Sequence, residues 1–148
     1  MTRWAAFAAD APELAEAVRA RFTSAKHCTL ATLRRDGSPR ISGTEVEFSD
    51  GEVWLGSMPS ALKALDLRRD PRFALHSPSV DPPTDNPAAW VGEAKMAGRA
   101  VEVGDVCATD QPHRFRLDIR EVVLTRVEGD ALLIESWHPE RGAAAHRR

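Results

Sequence analysis

The chain has 148 residues and a mass of 16.3 kDa, a length that fits one domain. With 43% apolar residues it can build a core without a metal or a disulfide as a staple. Twenty basic residues against 22 acidic ones leave a formal charge of −2, too balanced for a chain whose main task is gripping phosphate backbones, so nucleic acid is disfavoured as a partner.

The first residues, Met1 to Phe7, run into Asp10, Pro12 and Glu13 before a secretory apolar core can form. No later stretch approaches about 18 uninterrupted apolar residues, so no membrane span is expected and the cytoplasm is the expected location. Asp10-Ala11-Pro12-Glu13 reads as a helix start, and Leu14, Val18 and Phe22 recur four apart, predicting one helix with a buried stripe that ends near Thr23. Three extended segments follow: His27 to Leu33, Arg40 to Phe48 and Glu52 to Ser57. They are separated by Asp36-Gly37 and Asp50-Gly51, which predicts an antiparallel meander, because so short a connection cannot make a parallel crossover.

Ser60 then opens a short helix, Ala61 to Arg69, that exits at Asp70-Pro71. A fourth strand is expected over Phe73 to Ser77. Pro78, Pro82, Pro83 and Pro87 make the next stretch a loop. From Trp90 the residues Gly92, Ala94, Met96, Gly98 and Ala100 share one face, after which Val101 and Val103 take the apolar role on the other; that change of phase predicts a bulge near Gly98 to Ala100 or a strand leaving one sheet for another. The stretch from Asp105 to Arg114 reads as a loop or one helical turn. Phe115 to Val127 reads as one long half-buried strand, turned by Gly129-Asp130 into Ala131 to Trp137. Six to seven antiparallel strands with small residues at the curved positions suit a mainly β fold, a closed or nearly closed barrel, with an open sandwich as the alternative. Residues 1–140 are expected to form the domain, and 141–148 a frayed basic tail.

Chemistry is sparse. Cys28 and Cys107 form no CxxC and read as small hydrophobes. The histidines lack metal-ligand spacing, and GxSxG and GxGxxG are both absent, so neither a metal site, a serine hydrolase nor a Rossmann crevice is expected. The best local signal is Gly56-Ser57-Met58-Pro59-Ser60-Ala61-Leu62-Lys63. There a strand ends in Gly-Ser, a helix begins at Ser60, and Lys63 sits in its first turn, a setting for a dianionic phosphate; the plain alternative is a serine N-cap and a solvated lysine. Arg40 adds a bidentate contact if the meander brings it to that turn, and is otherwise a surface arginine. Trp137 either stacks on a flat ring or plugs the core.

The order of helix, meander, Ser-x-x-Lys helix ending in Arg-Arg-Asp-Pro, Ala97-Gly98-Arg99-Ala100, and a last hairpin closing on Trp137 resembles the pyridoxamine 5'-phosphate oxidase-like split-barrel flavoproteins, especially their actinobacterial relatives. The most specific pieces are Thr29 to Leu33, Asp36 to Arg40 and Lys63 to Pro71, and the likeness spans about residues 10 to 140. It implies a split β-barrel and a homodimer, with FMN or a deazaflavin (coenzyme F-420) at the subunit interface. It also implies hydride transfer between that cofactor and a flat conjugated small molecule, with no side-chain nucleophile required. By position, Arg40, Ile41 and Ser42 match the strand beside the ring, Gly56 and Ser57 the end beside the ribityl phosphate, and Lys63 the phosphate-binding lysine. The chain departs from the pattern at Leu62, where the family often has Arg or Gln, and at Ala61, which leaves Ser60 as a shifted substitute. Glu93 stands where the oxidases commonly carry glutamine. A non-catalytic flavin or haem carrier on the same barrel is the alternative, with His76 as its candidate ligand.

Overall fold

Both Asp-Gly turns reverse the chain. In the computed structural model, which describes residues 1–105 and 110–148, β1 (Cys28–Leu33) pairs antiparallel with β2 (Pro39–Thr44). The Asp36 carboxylate closes the intervening loop by accepting from the Ser38 N–H at 2.9 Å. β3 (Val46–Ser49) pairs antiparallel with β4 (Glu52–Ser57) through Asp50-Gly51, whose φ angles of +54° and +72° give the tight turn that suits the twist of a hairpin. The expected second strand, Arg40 to Phe48, therefore breaks at Glu45: its first half stays with β1 and its second half goes with β4, so the three segments do not form one meander.

The remaining elements are α1 (Trp4–Asp10), α2 (Pro12–Phe22), α3 (Leu62–Arg69), β5 (Arg72–His76), a single 3-10 turn at Pro87–Ala89, β6 (Glu93–Val103), β7 (His113–Glu128), β8 (Ala131–His138) and β9 (Gly142–Arg147). The strand order is β2-β1-β5-β6-β7-β4-β3, with β8 and β9 added to the far half of β7. Its two ends, β2 and β3, are consecutive along the chain. The sheet thus curls round until its edges are joined covalently at Glu45, while β2 and β4 stay unpaired beside each other. The result is an antiparallel, mainly β split barrel, with nine strands among the described residues where six to seven were expected.

The interior is filled by Leu30, Leu55, Leu75, Met96, Leu117, Ile119 and Leu124, all essentially inaccessible to water, each burial contributing about 1.5–3 kcal/mol. α1 and α2 cap one end with Trp4, Phe7, Leu14, Val18 and Phe22. The helical signal at the N-terminus divides at Ala11-Pro12 into two helices, where one was expected. The cap is fastened at its start, where Thr2 N–H donates to Asp118 Oδ1 at 2.7 Å, and at Asp10, whose Oδ2 accepts from the Trp137 indole at 2.7 Å.

The bulge lies where the small residues of β6 predict it, but the extra residue is on the other strand. Ala97 faces Glu121 and Gly98 faces Ile119, so Arg120 of β7 is the unpaired residue. β6 accordingly keeps one phase, with Ala94, Met96 and Ala100 buried and Val101 exposed, whereas β7 changes phase, burying Phe115, Leu117 and Ile119 and then Val122 and Leu124. Residues 142–147 form β9 against the outer edge of β8, not a frayed tail. Three consecutive alanines carry little strand preference, so the open edge of β8 and the turn at Gly142 (φ +69°) supply the order. Cys28 is a buried free thiol, as a small hydrophobe would be, and burial pushes its pKa up to about 11; Cys107 lies outside the described residues. Among the described residues no helix is long and apolar enough to cross a membrane.

Candidate functional site

The unpaired gap between β2 and β4 opens into a groove of about 1060 Å³, lined by residues 43–47, 54–59, 63 and 111–114 together with His27. That volume lies just above the range of about 300–1,000 Å³ usual for small-molecule sites. Backbone forms much of its wall at Gly43 and Gly56. A Cβ added at Gly43 would meet no atom within 4 Å, so the space beside this backbone is open.

Lys63 crosses the mouth of the gap. Its Nζ donates to Gly43 O at 2.8 Å, and among the described residues no carboxylate pairs with it. An ammonium has three donors and no acceptor. One is spent on a neutral carbonyl, leaving charge and two N–H bonds at the groove.

α3 is held in place by Asp66, one turn beyond Lys63 and only 3% exposed. Its Oδ2 accepts from Thr32 Oγ1 of β1 at 2.8 Å and from Arg40 Nε of β2 at 2.7 Å, and its Oδ1 from Arg69 Nη2 at 3.0 Å. Burial pushes this carboxyl up, but the hydrogen bonds from Arg40, Thr32 and Arg69 outweigh it and hold its pKa below the ordinary aspartate value. Arg40 is thereby tied to α3 and does not line the groove.

At the other wall, β7 begins with His113, opposite Ser57, and Arg114, opposite Gly56. The His113 ring is buried, its Nδ1 2.8 Å from Glu102 Oε1 and its Nε2 accepting the Ser60 N–H at 3.1 Å. Arg68 donates to both oxygens of Glu102, at 2.9 and 2.7 Å. Those Arg68 bonds, with the one from His113, hold the Glu102 carboxyl below its ordinary range against the opposing effect of burial. Further along, the Arg114 guanidinium lies 3.8 Å from the centre of the Trp54 ring.

The structure brings Gly56, Ser57 and Lys63 together at the groove; Ser60 lies outside its lining, with its backbone N–H donated to His113 Nε2. Ser60 is not the N-cap: that position falls to Ala61, α3 begins at Leu62, and Ser60 takes a left-handed φ of +60° in the turn before it. Ile41, 74% exposed, and Ser42 lie on β2 beside the groove but outside its lining. Trp137 is a core plug, 3% exposed and packed on Phe7 at 4.9 Å. Glu93 faces away from the groove, with Oε2 2.9 Å from His76 Nε2. The other nitrogen of His76 lies 2.6 Å from Ser77 O, so both ring nitrogens face oxygen acceptors and neither lone pair is aimed at a metal. Among the described residues no group of three or more His, Cys, Asp or Glu is placed to hold a metal ion. Sequence reasoning missed His113, Glu102 and Asp66. Asp66 carries a usable signal, a carboxylate on the buried side of a short helix flanked by arginines; the other two meet only through strand register.

The family profile described as Pyridoxamine 5'-phosphate oxidase matches residues 14–121. No curated protein matches the chain. Among solved structures, a conserved hypothetical protein from Mycobacterium tuberculosis is 24% identical, with a TM-score of 0.57 over 72% of this chain and 81% of that one. A haem-binding protein from Mycobacterium smegmatis is 17% identical, with a TM-score of 0.58 over 88% and 86%. A pyridoxamine 5'-phosphate oxidase-related, FMN-binding protein from Nostoc punctiforme is 11% identical, with a TM-score of 0.62 over 93% and 96%. These likenesses are likenesses of fold.

Proposed function

The chain belongs to the pyridoxamine 5'-phosphate oxidase family, and from that premise we propose that its groove binds FMN, or a deazaflavin sharing the same ribityl phosphate, and serves an oxidoreductase. The observation that carries this reading is Lys63, whose ammonium stands at the gap between β2 and β4 with, among the described residues, only a backbone carbonyl as partner. The residues fit such a ligand: a phosphate at Lys63 and the Ser57 end of β4, and an extended body along the glycine wall at Gly43 and Gly56. Three residues of β4, from Ser57 back to Trp54, span about 10 Å, which would carry the ring toward Trp54 and Arg114. Bound there, the cofactor supplies hydride transfer to a flat conjugated substrate. The protein's own part is to fix the phosphate, align the ring along β4 and exclude water from one face.

Ile41, Met58 and Leu62 are 74%, 76% and 59% exposed on the strand, loop and helix that border the gap, and a second copy of the chain is the proposed cover for them. Sedimentation should then give a mass near twice 16.3 kDa, and an Ile41→Glu change should lower it.

Gly43→Leu tests the site itself. The first carbon of the new side chain meets no protein atom within 4 Å, so the melting temperature should move by no more than about 2 °C. FMN affinity, read by quenching of flavin fluorescence, should fall by about tenfold or more. Equal affinity in the two proteins would place the flavin elsewhere.

A further inference from the structure

We propose that Arg114 selects the charge of the flat ring held in the groove: its guanidinium, laid on Trp54, favours a ring that carries a negative charge, and so favours reduced flavin over oxidised. The proposal rests on the flavin reading above and adds a specificity-determining residue to it. Register sets the position. Arg114 of β7 faces Gly56 of β4, which has no side chain to pack against, and Trp54 is the next residue on the same face of β4. The long arginine side chain leans along the strand, and its guanidinium carbon comes to 3.8 Å from the centre of the Trp54 ring. Both residues line the groove, whereas Arg116, directly opposite Trp54, has its Nη2 3.8 Å from Met1 Sδ and does not.

The charge of Arg114 is only weakly offset. Glu47 Oε1 lies 4.0 Å from Arg114 Nη2, with the two side chains 49% and 64% exposed, and it also accepts from Ser49 Oγ at 2.8 Å; so exposed a pair contributes little. Glu45, the other carboxylate on the groove, lies 3.6 Å from both Lys26 Nζ and His27 Nε2. One face of the guanidinium covers Trp54, and a guanidinium stacks on flat rings, so a ring entering the groove can take the other face. A reduced flavin ring is an anion at mildly alkaline pH. When a hydride leaves it for the substrate, one proton and two electrons go together and the ring returns to neutral. A fixed cation against the ring therefore stabilises the reduced state selectively. The phosphate is the same in both states, so Lys63 contributes equally to each.

The test is titration with FMN in its oxidised form and, without air and with dithionite present, in its reduced form. The unaltered protein should hold reduced FMN at least about tenfold tighter, which corresponds to a rise of about 30 mV in the two-electron potential of the bound flavin. Arg114→Gln should bring that ratio to within about threefold while leaving the melting temperature and the preference for FMN over riboflavin unchanged; Arg114→Lys, which keeps the charge, should hold it above about threefold. A ratio near one in the unaltered protein, or one that survives in Arg114→Gln, would overturn the proposal, and Lys63-dependent FMN binding in the same titrations would leave the flavin reading standing. If FMN binds in neither form, the flavin reading fails and a flavin-free pair decides: 2-naphthoate and 2-naphthylmethanol, flat ligands of which only the first is charged. A preference for the naphthoate that is lost in Arg114→Gln keeps Arg114 as a selector of flat anions, and no such preference overturns it.

Discussion

Gly98→Ala is expected to destabilise the protein by about 3 kcal/mol or more, a fall of about 10 °C in melting temperature for a chain of this size. A Cβ built at Gly98 lies 1.9 Å from Asp118 O, 3.0 Å from Asp118 C and 3.1 Å from Arg120 N. All three atoms are backbone, so no side chain can swing aside. The crowding arises because Arg120 is the extra residue of β7: the bulge presses the Asp118 carbonyl over Gly98, and relieving the clash means parting β6 from β7 at the middle of the barrel. The neighbouring Ala97 and Ala100 show that a methyl group is tolerated elsewhere on this strand. Gly43→Ala is the control, with no atom within 4 Å of the added carbon, and should change stability by less than about 0.5 kcal/mol. Thermal denaturation of the two variants decides it; equal melting temperatures would mean that β7 is not bulged at Arg120.

Asp66→Ala should cost about 3–5 kcal/mol near neutral pH, since it leaves the Arg40 and Arg69 guanidiniums without the carboxylate that joins them to α3. The pH dependence follows from the direction of its shift. The folded carboxyl ionises below its ordinary value, so the unfolded chain takes up this proton first; the stabilisation is complete above about pH 4 and is lost as pH falls through the folded value. Asp66→Asn keeps the shape and removes the charge, so the gap between it and the unaltered protein in urea unfolding should be widest near pH 7 and shrink toward pH 3. A gap of the same size at both would show that the carboxylate's charge contributes nothing. Because Asp66 also fixes the turn that carries Lys63, both variants should weaken FMN binding as well.

Local chemistry made part of this legible in the sequence. The two Asp-Gly turns, the exit of α3 at Asp70-Pro71, the proline loop and the position of the bulge each depend on residues a few places apart. The rest depends on closure. Nothing between Arg40 and Phe48 marks Glu45 as the break, since the strand divides only because one half pairs with β1 and the other with β4. Alternation through Phe115, Leu117, Ile119, Val123 and Val127 suggests one phase, whereas the extra residue at Arg120 puts Val122 and Leu124 inside. β9 has no strand preference of its own and borrows an edge from β8. Within the site, Lys63, Gly56 and Ser57 were readable because strand end and helix start are adjacent in sequence. His113 was not, because its meeting with Ser60 spans 53 positions and is set by the register of β4 against β7. Residue type and order left Arg40 and Trp137 open between a ligand contact and a plain role, as a surface arginine and a core plug; in the fold each is engaged by a carboxylate far off in sequence, Asp66 and Asp10.

The central claim is that a phosphate ester anchors at Lys63, and comparing FMN with riboflavin isolates that ester, because the two ligands differ in nothing else. Fluorescence titration of the unaltered protein should find FMN tighter by at least about tenfold, the order expected of charge-assisted hydrogen bonds to one ammonium, and Lys63→Ala should reduce that ratio to within about threefold. Equal affinities for the two ligands, or a ratio that survives the loss of the lysine, would contradict it.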